Sequence, residues 1–404
     1  NFLKLNSSPR PKSRKIMPSS LQSCTEDVLN CGKSPRWGPT RKPAMIYPRI
    51  KGCLSALKII VNKAAATSII ASSVTRLSSA VIKQIYAENS YLSENLNTQM
   101  ERKTEHIDLS DFRKSGEGAN GSSYDCISNP GIMVKLYNTS YPLGPVFEEY
   151  DVAKKVYELG IPSPEPGKLV NDGERTGILF QRIIGKRSYA RMLADEPERV
   201  EEFTREFARY CKGLHATECK KGVFPDAKEQ FLHLLSADKC LDKEEQAVFA
   251  DFIKSVPDAT TVLHGDMHIG NVISTLPKGA PMDSEHKVYF IDLGYFSIGY
   301  PLFDLGMTRN ISVSADEDFR VENFHIPGTL TAEVWKYFVD EYFFGPENLA
   351  EKYFGKGQTF ETVDNALRKF ECCKLLLVEY NLGFMPPHYE DNIRKTFGFK
   401  PRKI

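Results

Sequence analysis

A chain of 404 residues, 41% hydrophobic and 26% charged with a formal net charge of +1, is long enough for two lobes with real cores, and its composition excludes disorder throughout. The near-neutral total hides an asymmetry. Residues 1–99 carry about 15 lysines and arginines against about 4 acids, which leaves the remainder net acidic by about 10.

The first segment has basic, proline-rich runs such as Ser8-Pro9-Arg10-Pro11-Lys12 and little apolar periodicity, so residues 1–99 are expected to be a poorly ordered basic extension. Its composition fits either a targeting peptide or a non-native extension ahead of Met100, where globular character begins abruptly. Residues 54–85 are small and aliphatic in part. Lys58, Lys63, Arg76 and Lys83 interrupt them well before the roughly 18–20 apolar residues a membrane span needs. Neither a membrane nor a nucleic-acid partner is expected. The nine cysteines are odd in number and scattered, with no C-x-x-C pair, so no disulfide framework is indicated and a reducing cytoplasm suits them. Cys372-Cys373 falls in an apolar helical stretch and reads as small-residue packing.

Residues 100–183 read as a small antiparallel sheet with one helix: β-type runs at 122–127, 131–137, 167–170 and 176–181, and a helix over 146–159 ended by Gly160. Prolines 162, 164 and 166 prevent its continuation. The run Gly116-Glu117-Gly118-Ala119-Asn120-Gly121 precedes β-type sequence and no helix. It reads as a glycine hairpin turn, either a plain one or one whose backbone amides approach phosphate oxygens. Lys135 alternates with apolar neighbours in its strand. It is either a solvated strand lysine or a cation for the α- and β-phosphates, held by a carboxylate of the next helix. Glu148 and Glu149 both stand in that helix's first turns; Glu149 is preferred, although the helix dipole alone also explains an acid there.

Residues 184–404 are mainly helical, with apolar periodicity over 200–215, 228–235, 244–256, 332–344 and 360–382. Two short strands flanking residues 266–271 and another ending at Asp292 interrupt the pattern, so Val262-Leu263-His264-Gly265-Asp266-Met267-His268-Ile269-Gly270-Asn271 places its polar groups on loops at strand ends. Asp266 suits the orientation and deprotonation of an acceptor hydroxyl or amine, or else merely caps a turn. Turn chemistry does not also require Asn271 and Asp292, whose oxygens suit magnesium. His264 and His268 are four apart, yet Gly265 and Gly270 argue against a zinc-binding helix, and the histidines read as braces of the loop. Asp304, just inside a helix start, is either a helix N-terminal acid or a support for that loop.

Taken in order, Gly116, Gly118, Gly121, Lys135, Glu149, the H-G-D-x-H-x-x-N block 264–271, Asp292-Leu293-Gly294 and Asp304 resemble the aminoglycoside phosphotransferase and choline kinase-like superfamily over roughly residues 110–310. The resemblance implies an α+β, protein-kinase-like bilobal fold: an N-lobe at 100–183 and a helical C-lobe at 184–404, with ATP between them. It makes Asp266 the catalytic base, Asn271 and Asp292 the Mg2+ ligands, Lys135 with Glu149 the phosphate clamp, and the stretch from Ile178 through Gln181 to Ile183 the hinge at the adenine. The His-Gly-Asp sequence lacks the arginine of H-R-D, Asp-Leu-Gly replaces D-F-G, and no A-P-E follows, which favours a small-molecule acceptor over a polypeptide. The long 271–292 linker implies an inserted hairpin loop. A catalytically silent nucleotide-binding protein is the alternative. The acceptor, the nucleotide preference and the oligomeric state are not written in the sequence.

Overall fold

Alternation of side chains decides the N-terminal half of the fold. In strand β4 (Ile132–Tyr137) Val134 and Leu136 turn to one face and Lys135 and Tyr137 to the other. Val134 and Leu136 pack with Val170, while Tyr137 joins Val146, Phe147, Leu169 and Ile178 under helix α1 (Leu143–Glu158). Lys135 thereby lies on the helix side of the sheet. The computed structural model describes residues 102–118 and 120–401; the expectations for residues 1–99 fall outside them.

The sheet has six strands in the order β1-β5-β6-β4-β3-β2, adding β1 (Glu105–His106), β2 (Phe112–Glu117), β3 (Gly121–Cys126), β5 (Pro166–Asn171) and β6 (Thr176–Gln181). It is not wholly antiparallel as expected, because β1 pairs parallel to β5 at the edge. Strand β2 was not among the expected runs. Its sequence, Phe-Arg-Lys-Ser-Gly-Glu, is an edge with no buried residue, so no apolar alternation marks it.

Helix α1 ends where expected: the chain turns left-handed at Gly160. Val146 and Phe147 pack against the sheet, whereas Ala153 and Val156 belong to the large core of the helical region. That region begins with β7 (Arg187–Ser188), α2 (Tyr189–Asp195) and α3 (Val200–Leu214), followed by α4 (Ala227–Ala237) and α5 (Lys243–Ser255). Two short strand pairs then interrupt the helices. β8 (Val262–Leu263) pairs with β11 (Ser297–Ile298), and β9 (Val272–Ser274) pairs with β10 (Val288–Phe290) and β7. These pairs hold the loops at 264–271 and 291–296 beside each other, and Ile291 donates its N–H to the Asn271 carbonyl at 2.9 Å. The linker between Asn271 and Asp292 is a β-hairpin with a long loop, as expected.

The remaining helices are α6 (Leu302–Arg309), α7 (Glu317–Phe324), α8 (Gly328–Phe344), α9 (Leu349–Phe354), α10 (Phe360–Leu382) and α11 (Pro387–Phe397), with a π-helical turn at Asn310–Ser314. Helix α6 crosses α10 at Gly306, where a Cβ would stand 2.4 Å from the Phe370 carbonyl oxygen. The architecture is the expected α+β arrangement, a sheet with one helix followed by a mainly helical region. Among the described residues no helix is long and apolar enough to cross a membrane, and six cysteines are free.

Candidate active site

The loop after β8 is fixed from three sides. Asp304, fully buried in the first turn of α6, accepts the N–H groups of His264 and Gly265, both at 2.7 Å, and His215 Nε2 at 3.1 Å. Burial pushes its carboxyl up, but the His215 contact, Lys374 and His264 outweigh that and hold it below the ordinary range. From α10, the buried Lys374 ammonium donates to the Gly265 carbonyl. Burial lowers its pKa, against the opposing charges of Asp304 and Asp266. On the third side the Tyr295 carbonyl leaves no space: a Cβ on Gly265 would lie 1.9 Å from its oxygen, at φ +81°. Only glycine fits there.

His264 carries its proton on Nε2, which donates to the Ile291 carbonyl at 3.0 Å, while Nδ1 accepts the Asp266 N–H at 3.3 Å. Burial depresses its pKa and keeps the ring neutral. His264 thus ties the Asp266 loop to the Asp292 loop. His268 orders the next turn by accepting the Gly270 N–H at 3.0 Å, and its Nε2 stands 3.5 Å from Asp266 Oδ2. Buried Met267 and Ile269 anchor the segment between them, and Thr308 Oγ1 donates to the Met267 carbonyl at 2.8 Å.

Asp266 itself is partly accessible. Asn271 Nδ2 donates to both its carbonyl and its Oδ2 at 3.0 Å. Burial pushes the carboxyl up, yet His268, His264 and Lys374 prevail and hold it well below the usual carboxylate range. With its amide nitrogen committed to Asp266, Asn271 presents Oδ1 as a neutral oxygen donor. Asp292 is exposed and left-handed, with φ +60°, a conformation that a short polar side chain tolerates. Asn271 and Asp292 supply only oxygen donors, which fits a hard cation.

Lys135 joins the sheet to this loop. Its Nζ lies 2.7 Å from Glu149 Oε1 and 3.2 Å from Asp292 Oδ1. Burial lowers its pKa, but Asp292 and Glu149 raise it further, so the ammonium is fixed as a cation. Glu149 is buried and Glu148 exposed, which separates the two candidates. The glycine run forms the β2–β3 hairpin, with the Gly118 N–H on the Gly121 carbonyl at 2.8 Å. Gly121 is required there, since a Cβ would sit 2.2 Å from the Leu136 oxygen. At Gly116 and Gly118 a Cβ meets nothing closer than 3.6 Å, so their packing does not demand glycine. Gln181 closes β6 opposite Ile132, and Ile183 is buried in the connection to β7.

Sequence reasoning missed His215, Tyr295, Thr308 and Lys374. None is a motif residue, Tyr295 merely following Asp292-Leu293-Gly294, and the apolar periodicity of 360–382 marked only a core face of α10.

Residues 113–337 match the family model described as the phosphotransferase enzyme family. Among solved structures, the chain is similar to a thermostable mutant of aminoglycoside phosphotransferase APH(4)-Ia in a ternary complex with ADP and hygromycin B, at 12% identity and TM-score 0.46 over 72% of this chain and 94% of that one. It is also similar to APH(2")-IIa in complex with gentamicin, at 13% identity and TM-score 0.42 over 77% and 96%. A third is aminoglycoside phosphotransferase APH(3'')-Id from Streptomyces rimosus, at 16% identity and TM-score 0.38 over 64% and 92%. No curated protein sequence matches the chain.

Proposed function

This chain belongs to the phosphotransferase enzyme family, and from that premise we propose that it moves the γ-phosphate of ATP, with Mg2+, to a hydroxyl or amine of a small molecule. The observation that carries the reading is the position of Lys135, which reaches Glu149 and Asp292 at once and so brings the sheet, its helix and the post-β10 loop to one point. In this reading Lys135 holds the α- and β-phosphates and Glu149 holds Lys135. Gly116, Gly118 and Gly121 lay backbone over the phosphates, and the adenine meets the 178–183 strand end with Gln181 and Ile183.

Asn271 Oδ1 and Asp292 hold Mg2+, which when bound neutralises charge on the transferred phosphoryl group. Asp266 is the base. Its depressed pKa keeps it ionised, and the Asn271 and His268 contacts on Oδ2 orient the carboxylate, leaving Oδ1 for an acceptor proton. His264 and Asp304 set the loop and do not touch substrate. The free cysteines fit a cytoplasmic protein.

The test is Mg2+-dependent ADP release with a panel of amino sugars, sugars, choline and other amino alcohols. One or more acceptors should stimulate release, and Asp266→Ala should abolish that stimulation. ATP binding with no stimulation by any acceptor, unchanged in Asp266→Ala, would return the protein to a silent nucleotide-binding role.

A further inference from the structure

Away from this machinery, Asp238, Cys240 and Glu379 bring two carboxylates and a thiol together where the α4–α5 connection meets the C-terminal end of α10. One ligand atom from each lies within 4.8 Å of the others. Cys240 Sγ is 3.6 Å from Glu379 Oε1. Asp238 is 8% exposed; its Oδ2 accepts the Leu241 N–H at 2.8 Å, whereas no N–H, hydroxyl or cationic donor reaches the buried Oδ1, and the Asp238 and Glu379 carboxyls lie in hydrogen-bonding contact with each other. A buried carboxylate oxygen left bare is costly unless something positive reaches it. The nearby guanidinium of Arg394 donates to the Cys240 carbonyl but forms its ion pairs with Glu245 and Glu390. Among the described residues no lysine, arginine or histidine forms an ion pair with Asp238 or Glu379.

We propose that Asp238, Cys240 and Glu379 bind a zinc ion that clamps the end of α10 to the α4–α5 connection. The thiol selects the metal. Magnesium and calcium take oxygen donors, whereas zinc accepts thiolate and carboxylate in one tetrahedral shell, here with water as the fourth ligand. Binding converts the Cys240 thiol to thiolate and releases its proton to solvent. Two residues beyond Glu379, Asn381 Nδ2 donates to the Tyr295 hydroxyl at 3.3 Å, so the clamp steadies the helix end that touches the loop following Asp292. The inference does not depend on which acceptor is phosphorylated.

The test uses the full chain, stripped of metal by chelator dialysis and kept in excess Mg2+ so that Asn271 and Asp292 do not report. Titration with Co2+ should give one equivalent of binding with a thiolate-to-cobalt charge-transfer band, which Zn2+ then displaces. Cys240→Ser should remove the band and weaken Zn2+ binding at least about tenfold, and Glu379→Gln should weaken it comparably. Metal-free melting temperatures near wild type establish that each variant folds, and either variant suffices if the other does not. Absence of the band in the wild-type chain, or unchanged Zn2+ affinity in the folded variants, overturns the proposal and leaves Asp238 and Glu379 as a metal-free acid pair.

Discussion

At the scale of single residues, Gly265 and Asp266 separate structure from chemistry. Replacing Gly265 by alanine forces a side chain into a left-handed backbone, which costs about 1–3 kcal/mol, and drives its Cβ into the Tyr295 carbonyl. Gly265→Ala should therefore lower the denaturation midpoint and abolish activity together. Asp266→Asn keeps the shape and, on the proposed reading, loses only the base. It should reduce kcat by about 10²–10⁴-fold while the ATP affinity and the melting temperature stay near wild type. A parallel fall in stability would place Asp266 among the braces. The polar loop was legible because Asp266, Asn271 and Asp292 together exceed what a turn requires. Its supports were not, since Lys374 stands 109 residues from the carbonyl it binds and lies among the mostly apolar buried positions of α10.

At the scale of elements, Glu196 joins three pieces that no sequence motif links. Its carboxylate takes Arg187 of β7 at 2.6 Å, Arg199 before α3 at 2.9 Å and the Gly279 N–H of the inserted loop at 2.9 Å. Burial raises its pKa, but Arg187, the Gly279 amide and Arg199 bring it down to about 2 from the ordinary 4.5. A depressed carboxyl contributes stability that is complete above its unfolded pKa and is lost as pH falls toward the folded one. The melting-temperature gap between wild type and Glu196→Gln should thus be full above pH 4.5 and narrow toward pH 2; a gap that persists at the acid end would contradict the pairing. Between α6 and α10, fully buried Glu371 faces Arg309, which also pairs with Asp364 at 2.8 Å. Arg309→Ala strands that charge and should destabilise the protein by about 3–5 kcal/mol in denaturant unfolding. Helices with a long apolar stripe, such as α10, were readable to their ends. Strand β2 and the short helices α7 and α9 were not, because an exposed edge or a six- to eight-residue helix leaves little periodic signal.

At the scale of the whole molecule, α1 belongs to two cores, its start packed under the sheet and Ala153 and Val156 packed among the C-terminal helices. Val156→Ala should cost about 2 kcal/mol and, because the helix is shared, should speed amide hydrogen exchange both in β4 and in the helical region. Acceleration confined to the helices would mean that the two cores open independently. We propose that residues 1–99 lie outside the working unit: a chain that begins at Met100 should keep the melting temperature and the ADP-release rate of the longer one. The double membership of α1 also constrains how the molecule deforms. A sheet joined to helices by a bare linker pivots freely, but here any tilt either carries α1 along, with Glu149 and the Lys135 it holds, or tears one of its two packings. The helix is common to both bodies, so Glu149 and the Lys135 it holds cannot shift with the sheet without disturbing the packing of Ala153 and Val156.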